Sequence, residues 1–400
     1  MMRPDTSNLQ VSKANNILPV MAVFLVGISS VMVAGLKPML VTLYITHLQL
    51  STSVAGYTLA AEMIAATLGA AAVSFLLRRA KARGLAFIGL IVMCVSDLTS
   101  MTIVNLPTLV LVRIVAGFST GLTAGVMAAT IAGMRSPDRL MGAYNTIALL
   151  VLAVAFAIVP GLAERFGIGA VFLGLAATTL PALSLIRFFP LGAALRSGVA
   201  SGSLALPPMP KRETTIALLG TASFYFALGG LWPYMGEIGR QSGLSTGEVA
   251  RVLGMSQIAA AAGSFVSVLV GQRFGRQIPV WIAVFLASAS IIAMQFALTV
   301  AGIFEWAAPV FLGGAMMLFG YLMGIISGVD AFGRVAALSF SVQTICFGLG
   351  PAWAGALASA AGYSNVLGAA LFGMPLTLIF LIPLARSQDN KTGADGVACE

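Results

Sequence analysis

The sequence predicts an all-α polytopic membrane protein with twelve transmembrane helices. Hydrophobic residues make up 59% of the chain and charged residues only 9%, with a mean hydropathy of +0.99. Runs of about 20 apolar residues recur from end to end, and each can cross a hydrocarbon core of about 30 Å as a helix. The third observation is the placement of lysine and arginine, which fall mostly on alternate loops.

The predicted spans follow the hydropathy pattern in chain order. The first is long for one crossing, which tilting can accommodate. Its apolar region is longer than that of an ordinary signal peptide and no small-residue cleavage site closes it, so we expect it to be retained. Glycine and proline interrupt the pattern again around 230–240. The twelve spans are 18–46, 53–77, 85–104, 107–133, 140–163, 167–189, 214–236, 249–270, 279–301, 307–329, 335–359 and 364–385.

Loop charge predicts the orientation of the chain. With the N-terminus in the cytoplasm, the outer loops keep only three basic residues, Arg165, Arg240 and Arg251. This bias requires an even number of crossings with both termini cytoplasmic, which is typical of a bacterial inner (plasma) membrane protein. The net charge of +9 is therefore read as a topology signal. Nucleic-acid binding is the rival interpretation, and the scatter of basic residues over short loops argues against it.

An internal repeat divides the predicted helices into two halves. The segment "GLKP" at 35–38 is followed by "LST" at 50–52, and "GLWP" at 230–233 is followed by "LST" at 244–246. Gly69 and Gly263 lie 194 residues apart, the offset that also separates the two "LST" segments. We therefore expect pseudo-symmetric six-helix bundles. Their predicted bounds are 18–189 and 214–386, with a cytoplasmic linker at 190–213 and cytoplasmic tails at 1–17 and 387–400.

The fourth predicted helix carries an arginine followed by glycines four residues apart, at Arg113, Gly117, Gly121 and Gly125. Together with the six-plus-six arrangement, this pattern resembles the major facilitator superfamily of secondary transporters. The family's Gly-x-x-x-Asp-Arg-x-Gly-Arg loop is degraded, with Arg78 at the aspartate position and Gln272 in its second copy. The resemblance implies alternating access between the halves, with helices 1, 4, 7 and 10 facing a central pathway.

Four ionisable residues lie well inside the predicted spans: Lys37, Glu62, Asp97 and Arg113. An isolated charge at the bilayer centre costs about 3 kcal/mol or more, so pairing is expected. Turn symmetry favours Asp97 with Arg113 and Glu62 with Lys37, although Glu62 with Arg113 is also compatible. The pairs are either structural or proton-coupling, since a carboxylate whose partner can withdraw has a movable pKa. We favour coupling, with Glu62 and Asp97 as proton carriers and the two cations as partners or anion ligands.

The glycines of the fourth helix and several polar residues are the remaining candidates. Glycine at four-residue spacing predicts close helix packing, the alternative being a moving hinge. The resemblance places Trp232 and Tyr234 near substrate, the alternative being an interfacial aromatic belt. Gln257, Gln343, Tyr321 and Asn145 are polar at membrane depth and serve either as substrate ligands or as interhelical contacts.

The predicted function is secondary active transport of a small organic solute, coupled to protons. No phosphate-binding loop, His-Glu-x-x-His motif or paired cysteine spacing is present, so no enzyme activity, cofactor or metal is expected. Efflux of amphipathic compounds and uptake of organic anions both stay open. The alternative is a non-transporting sensor or membrane assembly partner with the same fold. The expected partners are the solute, protons and membrane lipid, with the protein a monomer.

Overall fold

The computed structural model describes residues 17–102, 105–134, 137–191, 210–271, 273, 275–300, 302–330 and 334–397. Within these ranges the regular structure is helical, apart from one isolated bridge between Arg273 and Gly275. Most of the predicted linker (192–209), residues 1–16 and 398–400 of the tails, and residues 103, 104 and 301 of two spans lie outside the described residues.

In the part of the N-terminal half that the structure describes, there are six α-helices and a final short 3-10 turn, Ile186–Phe188. The first predicted span is divided at Leu36, because Pro38 in the first turn of the second helix has no N–H to continue the hydrogen-bond ladder. The helices are α1 (Ile17–Gly35), α2 (Lys37–Thr46), α3 (Thr52–Leu76), α4 (Ala82–Ser100), α5 (Leu106–Ala132) and α6 (Pro137–Leu185).

The C-terminal half is interrupted at the matching place. A 3-10 turn, Trp232–Tyr234, contains Pro233 and separates α7 from α8. This is the interruption predicted around 230–240, and it falls on the "GLWP" copy as the α1/α2 break falls on "GLKP". The helices are α7 (Lys211–Leu231), α8 (Met235–Gln241), α9 (Thr246–Val270), α10 (Gln277–Ala297), α11 (Ile303–Ser327), α12 (Arg334–Ala361) and α13 (Tyr363–Val397).

Eleven helical segments of the described chain are long and apolar enough to cross a membrane. One of them, 139–188, has 50 residues, about 75 Å if straight, which is more than twice a hydrocarbon core. It bends at Gly167, whose φ of 76° and ψ of −179° favour glycine. Two crossings therefore lie in this segment. The protein is an integral membrane protein with twelve crossings, and the predicted fold class is confirmed.

Equivalent helices make equivalent contacts in the two halves. α3 packs along α5 as α9 packs along α11, and the main contacts between halves are α3 with α12 and α6 with α9. A Cβ atom added to Gly69 would lie 2.0 Å from the carbonyl oxygen of Phe118, and one added to Gly263 would lie 2.0 Å from that of Gly313. The repeated glycines therefore mark the same backbone-to-backbone approach in each half.

The last helix continues beyond position 386, where the predicted cytoplasmic tail begins. α13 continues to Val397, and the Asp389 carboxylate accepts hydrogen bonds from the backbone N–H groups of Arg276 (2.9 Å) and Gln277 (3.2 Å). A helix N-terminus has unpaired N–H groups, and Asp389 supplies acceptors for α10. At the other boundary, α7 begins at Lys211, inside the predicted linker.

Candidate functional site

Arg113 and Asp97 form a buried ion pair between α5 and α4. Arg113 Nη2 donates to Asp97 Oδ1 at 2.7 Å and to Ser100 Oγ at 2.8 Å. Both charged side chains are fully buried, with at most 1% exposure. In a water-excluded environment such a hydrogen-bonded pair offsets much of the cost of burying each charge. This is one of the two pairings that turn symmetry favoured.

Glu62 approaches the same guanidinium from α3. Its Oε1 lies 3.8 Å from Arg113 Nη1, too far for a hydrogen bond, and neither carboxylate oxygen has a hydrogen-bond partner in the described chain. Arg113 is therefore shared by a hydrogen-bonded carboxylate and a second carboxylate held only by charge. For Glu62, the geometry shows the crossed pairing with Arg113 instead of a pair with Lys37.

Lys37 begins α2 and lies apart from the shared pair. Its Nζ has no hydrogen-bond partner within the described residues and lies 4.7 Å from the ring centroid of Phe347 on α12. Glu62 acts on it electrostatically, but the two are not within the 4 Å of an ion pair. A cation over an aromatic face is attracted by the ring quadrupole. This contact joins the charge layer, defined here as Lys37, Glu62, Asp97 and Arg113, to the opposite half.

Two aromatic rings, Phe172 and Tyr44, lie beside Arg113 of the charge layer. The guanidinium carbon of Arg113 lies 5.0 Å from the ring centroid of Phe172, and that ring lies 6.5 Å from the ring of Tyr44. The Tyr44 hydroxyl is buried and makes no hydrogen bond with the described chain. All four residues of the charge layer are buried, and the low local dielectric strengthens the interactions between their charges.

The glycines of α5 allow the charge layer to form. A Cβ atom on Gly117 would lie 2.0 Å from the carbonyl oxygen of Glu62, and one on Gly121 would lie 1.8 Å from that of Ala66. At Gly125 the nearest atom is Val73 Cγ2, at 2.7 Å. Gly117 is one turn beyond Arg113, so the absence of its side chain brings the Glu62 backbone against α5 beside the guanidinium.

A cavity of about 220 Å³ lies between the two halves, next to Phe347. Its N-terminal wall is aliphatic and comes from α1 and α6: Val31, Ala34, Gly35, Leu149 and Leu152. Its C-terminal wall contains one polar residue, Gln257, among apolar ones: Leu228, Trp232, Ala260, Leu312, Met316 and Phe347. No member of the charge layer lines it. Phe347 lines the cavity and also contacts Lys37 of the charge layer.

Four of the predicted substrate residues lie in or beside this cavity. Trp232 and Gln257 line it. Asn145 and Gln343 are each four residues before a lining residue, Leu149 and Phe347, so each shares its helix face one turn away. Asn145 is exposed and Gln343 half-buried. Both lie on the side of the cavity toward the starts of α6 and α12.

Tyr234 and Tyr321 do not line the cavity. The Tyr234 hydroxyl lies within hydrogen-bond distance of the carbonyl oxygens of Thr52 (3.2 Å) and Pro351 (3.0 Å), where it ties α7–α8 to α3 and α12. Tyr321 is buried, and its hydroxyl has no partner within the described residues. Sequence reasoning missed Phe347 as a contact residue, because an apolar ring carries no polar signal at membrane depth.

The halves meet closely at the end of the bundle where α2 and α8 terminate, here called the distal end. A Cβ atom on Gly236 would lie 2.6 Å from the carbonyl oxygen of Pro38, and the backbone N–H of Ser53 donates to Ser359 Oγ at 3.0 Å. Pro38 and Gly236 follow the cavity-lining residues Gly35 and Trp232 along the chain. The two halves are therefore in direct contact at the distal end.

A larger groove of about 760 Å³ lies among α9, α10 and α11. It is lined entirely by apolar and small residues, and several of them, such as Trp306 and Ile278, are well exposed. Exposed apolar side chains along membrane-spanning helices are what a lipid-facing surface requires. The groove has no polar group to orient a solute, so the cavity between the halves is the stronger candidate site.

Two pseudo-symmetric helical halves around a central cavity, with buried ions beside it, are typical of a membrane carrier. Residues 20–213 match the sequence model of the Major Facilitator Superfamily. The matched segment spans the first six-helix half, so this half of the chain is similar in sequence to that superfamily.

The fold is also that of two solved xylose transporter structures. One is a D-xylose-proton symporter, with a TM-score of 0.68 and 15% identity over 91% of this chain and 96% of that one. The other is the xylose transporter XylE from E. coli in an inward open conformation, with a TM-score of 0.70 and 14% identity over 91% and 94%. At this identity the likeness concerns the fold. No curated protein matches the chain in sequence.

Proposed function

We propose that this protein couples proton movement to the transport of a small organic solute by alternating access. It works as a monomer in the inner membrane with both termini in the cytoplasm. The observation that carries the proposal is the shared Arg113, which holds Asp97 by a hydrogen bond and Glu62 by charge alone. One of the two solved relatives is a proton symporter, and that supports the same coupling here.

The charge layer offers a site where one proton changes the pairing. With all four groups ionised, two positive and two negative charges balance in a water-excluded layer. A proton on either carboxyl leaves one cation in excess and removes one of the two acceptors that compete for Arg113. Because an unpaired buried charge is costly, protonation shifts the conformational equilibrium of the helices that carry these groups.

Phe347 links this layer to the solute. Its ring lies over the Lys37 ammonium and also forms part of the cavity wall. A solute that presses on the ring changes the environment of Lys37, and a change at Lys37 alters the field at Glu62. Coupling thus passes between the halves through a single aromatic side chain, although α12 carries no member of the charge layer.

Replacing Glu62 with glutamine should abolish solute-driven proton movement. The amide keeps the shape of the side chain but cannot carry a proton. In proteoliposomes with an internal pH indicator, the unmodified protein collapses an imposed pH gradient when a transported solute is added, and Glu62→Gln does not. The same loss is expected for Asp97→Asn. Glu164→Gln, at an exposed glutamate of α6, is the matched control and keeps the response. Unchanged coupling in both charge-layer variants would refute the assignment.

Cross-linking the distal end should arrest transport. Ser53 and Ser359 already share a hydrogen bond between the halves, so cysteines at both positions are placed to form a disulfide. The native cysteines, Cys94, Cys346 and Cys399, are first replaced by serine. Oxidation of Ser53→Cys/Ser359→Cys is expected to stop solute flux and reduction to restore it. The single variant Ser53→Cys controls for oxidation. Full flux through the cross-linked protein would show that this end does not open.

A further inference from the structure

We propose that the cavity between the halves takes a compact, uncharged and largely apolar solute with one hydrogen-bonding group, which Gln257 recognises. The inference rests on the proposed transport function and names the class of solute for it. It excludes sugars and organic anions as the preferred cargo, even though the fold resembles that of xylose transporters.

The residues that line the cavity are almost all apolar. Eleven of its twelve lining residues are apolar or glycine, and none is ionisable. A sugar loses hydration at every hydroxyl on entering such a cavity, and one amide cannot replace those bonds. The cost of desolvation is larger still for an organic anion, because no cation lines the cavity to pair with it. Arg113 interacts with the carboxylates of Glu62 and Asp97, and Lys37 lies over the Phe347 ring. The wall therefore selects against both classes.

Gln257 is the polar exception, and its amide is free to bind a solute. The residue is 3% exposed, and its side chain makes no hydrogen bond with the described chain. A glutamine amide has two donor hydrogens and an acceptor oxygen, and buried polar groups are costly when unpaired. A carbonyl, amide or hydroxyl on the solute supplies the missing partner. One such group is enough to orient an otherwise apolar molecule.

Size and aromatic lining indicate a single ring. An apolar cavity of about 150 Å³ holds benzene in another protein, so about 220 Å³ accommodates a ring with a small substituent. Trp232 is held edge-on against Phe156, with ring centroids 6.2 Å apart, and Phe347 stands on another helix of the wall. Aromatic side chains favour offset or edge contacts with a bound ring.

Binding to the purified protein tests this without any gradient. Benzamide, toluene, D-xylose and benzoate are compared by their effect on the thermal unfolding temperature in detergent. Benzamide and toluene are expected to raise it in a concentration-dependent way, and D-xylose and benzoate to leave it unchanged. Gln257→Leu should weaken benzamide about tenfold or more and leave toluene unaffected, because only benzamide uses the amide. Gln241→Leu, at an exposed glutamine, should change neither.

Stabilisation by D-xylose or benzoate without benzamide would overturn the inference. So would the failure of both ring compounds to bind, or equal benzamide affinity in Gln257→Leu. The coupling proposal fails separately, since its test depends on Glu62 and Asp97 and neither lines the cavity. If the protein binds benzamide but moves no protons, the proposed solute class is supported and the proposed proton coupling is refuted.

Discussion

Replacing Arg113 with leucine is expected to destabilise the protein by about 3–5 kcal/mol, the cost of breaking a buried ion pair from one side. Asp97 and Glu62 are buried, and both lose their nearest cation when the guanidinium is removed. The measurement is the unfolding of purified protein in detergent, with the yield of monodisperse protein as a second readout. Proton coupling is expected to be lost as well.

Two companion variants separate stability from coupling. Arg165→Leu removes an exposed arginine of α6 and should leave both properties unchanged. Arg113→Leu combined with Asp97→Asn removes the uncompensated charge at the pair and should recover part of the stability, because a neutral amide is cheaper to bury than an unpaired carboxylate. Coupling should stay absent in the double variant. A double variant that regained proton movement would make the pair purely structural.

Replacing Gly121 with alanine is expected to prevent close assembly of α5 with α3. The added Cβ would lie 1.8 Å from the carbonyl oxygen of Ala66, a backbone atom that cannot rotate away. Overpacking typically costs about 1–3 kcal/mol, and a contact between two backbones belongs at the upper end. Folded yield and unfolding temperature measure the effect.

Gly161→Ala is the matched control for this substitution. Gly161 also lies within a helix, and no atom lies within 4 Å of a Cβ built on it. Because alanine is the better helix former, this variant should be neutral or slightly stabilising. Equal behaviour of the two glycine variants would mean that α5 does not depend on its glycine face. A folded Gly121→Ala protein should still show weakened coupling, since a displaced α3 moves Glu62 away from Arg113.

Much of the fold was readable from local patterns. Hydropathy and loop charge predicted twelve crossings, and the "GLKP" and "GLWP" copies marked the places where both halves are interrupted. The contact of Asp389 with the N-terminus of α10 was not predicted, because the two segments lie far apart in sequence. Contacts between segments that are distant in sequence produce no periodic pattern of residues, so they cannot be predicted from the sequence pattern.

The candidate site was only partly readable. The cost of intramembrane charge singled out Lys37, Glu62, Asp97 and Arg113, but turn symmetry suggested two separate pairs. The structure instead places Glu62 near Arg113 and Lys37 over Phe347. Likewise, polarity at membrane depth selected both Gln257 and Tyr321, and only Gln257 lines the cavity.

The amino-acid sequence by itself determined that this chain spans a membrane twelve times as a duplicated unit and that its buried ions must find partners. Those conclusions follow from hydrophobicity and desolvation, which act on each residue whatever its neighbours are. Which ion meets which, and which side chains face the solute, was decided by the tertiary structure. The physical reason is that helix rotation and helix approach, here governed by glycine contacts between α3 and α5, emerge only when the helices pack together.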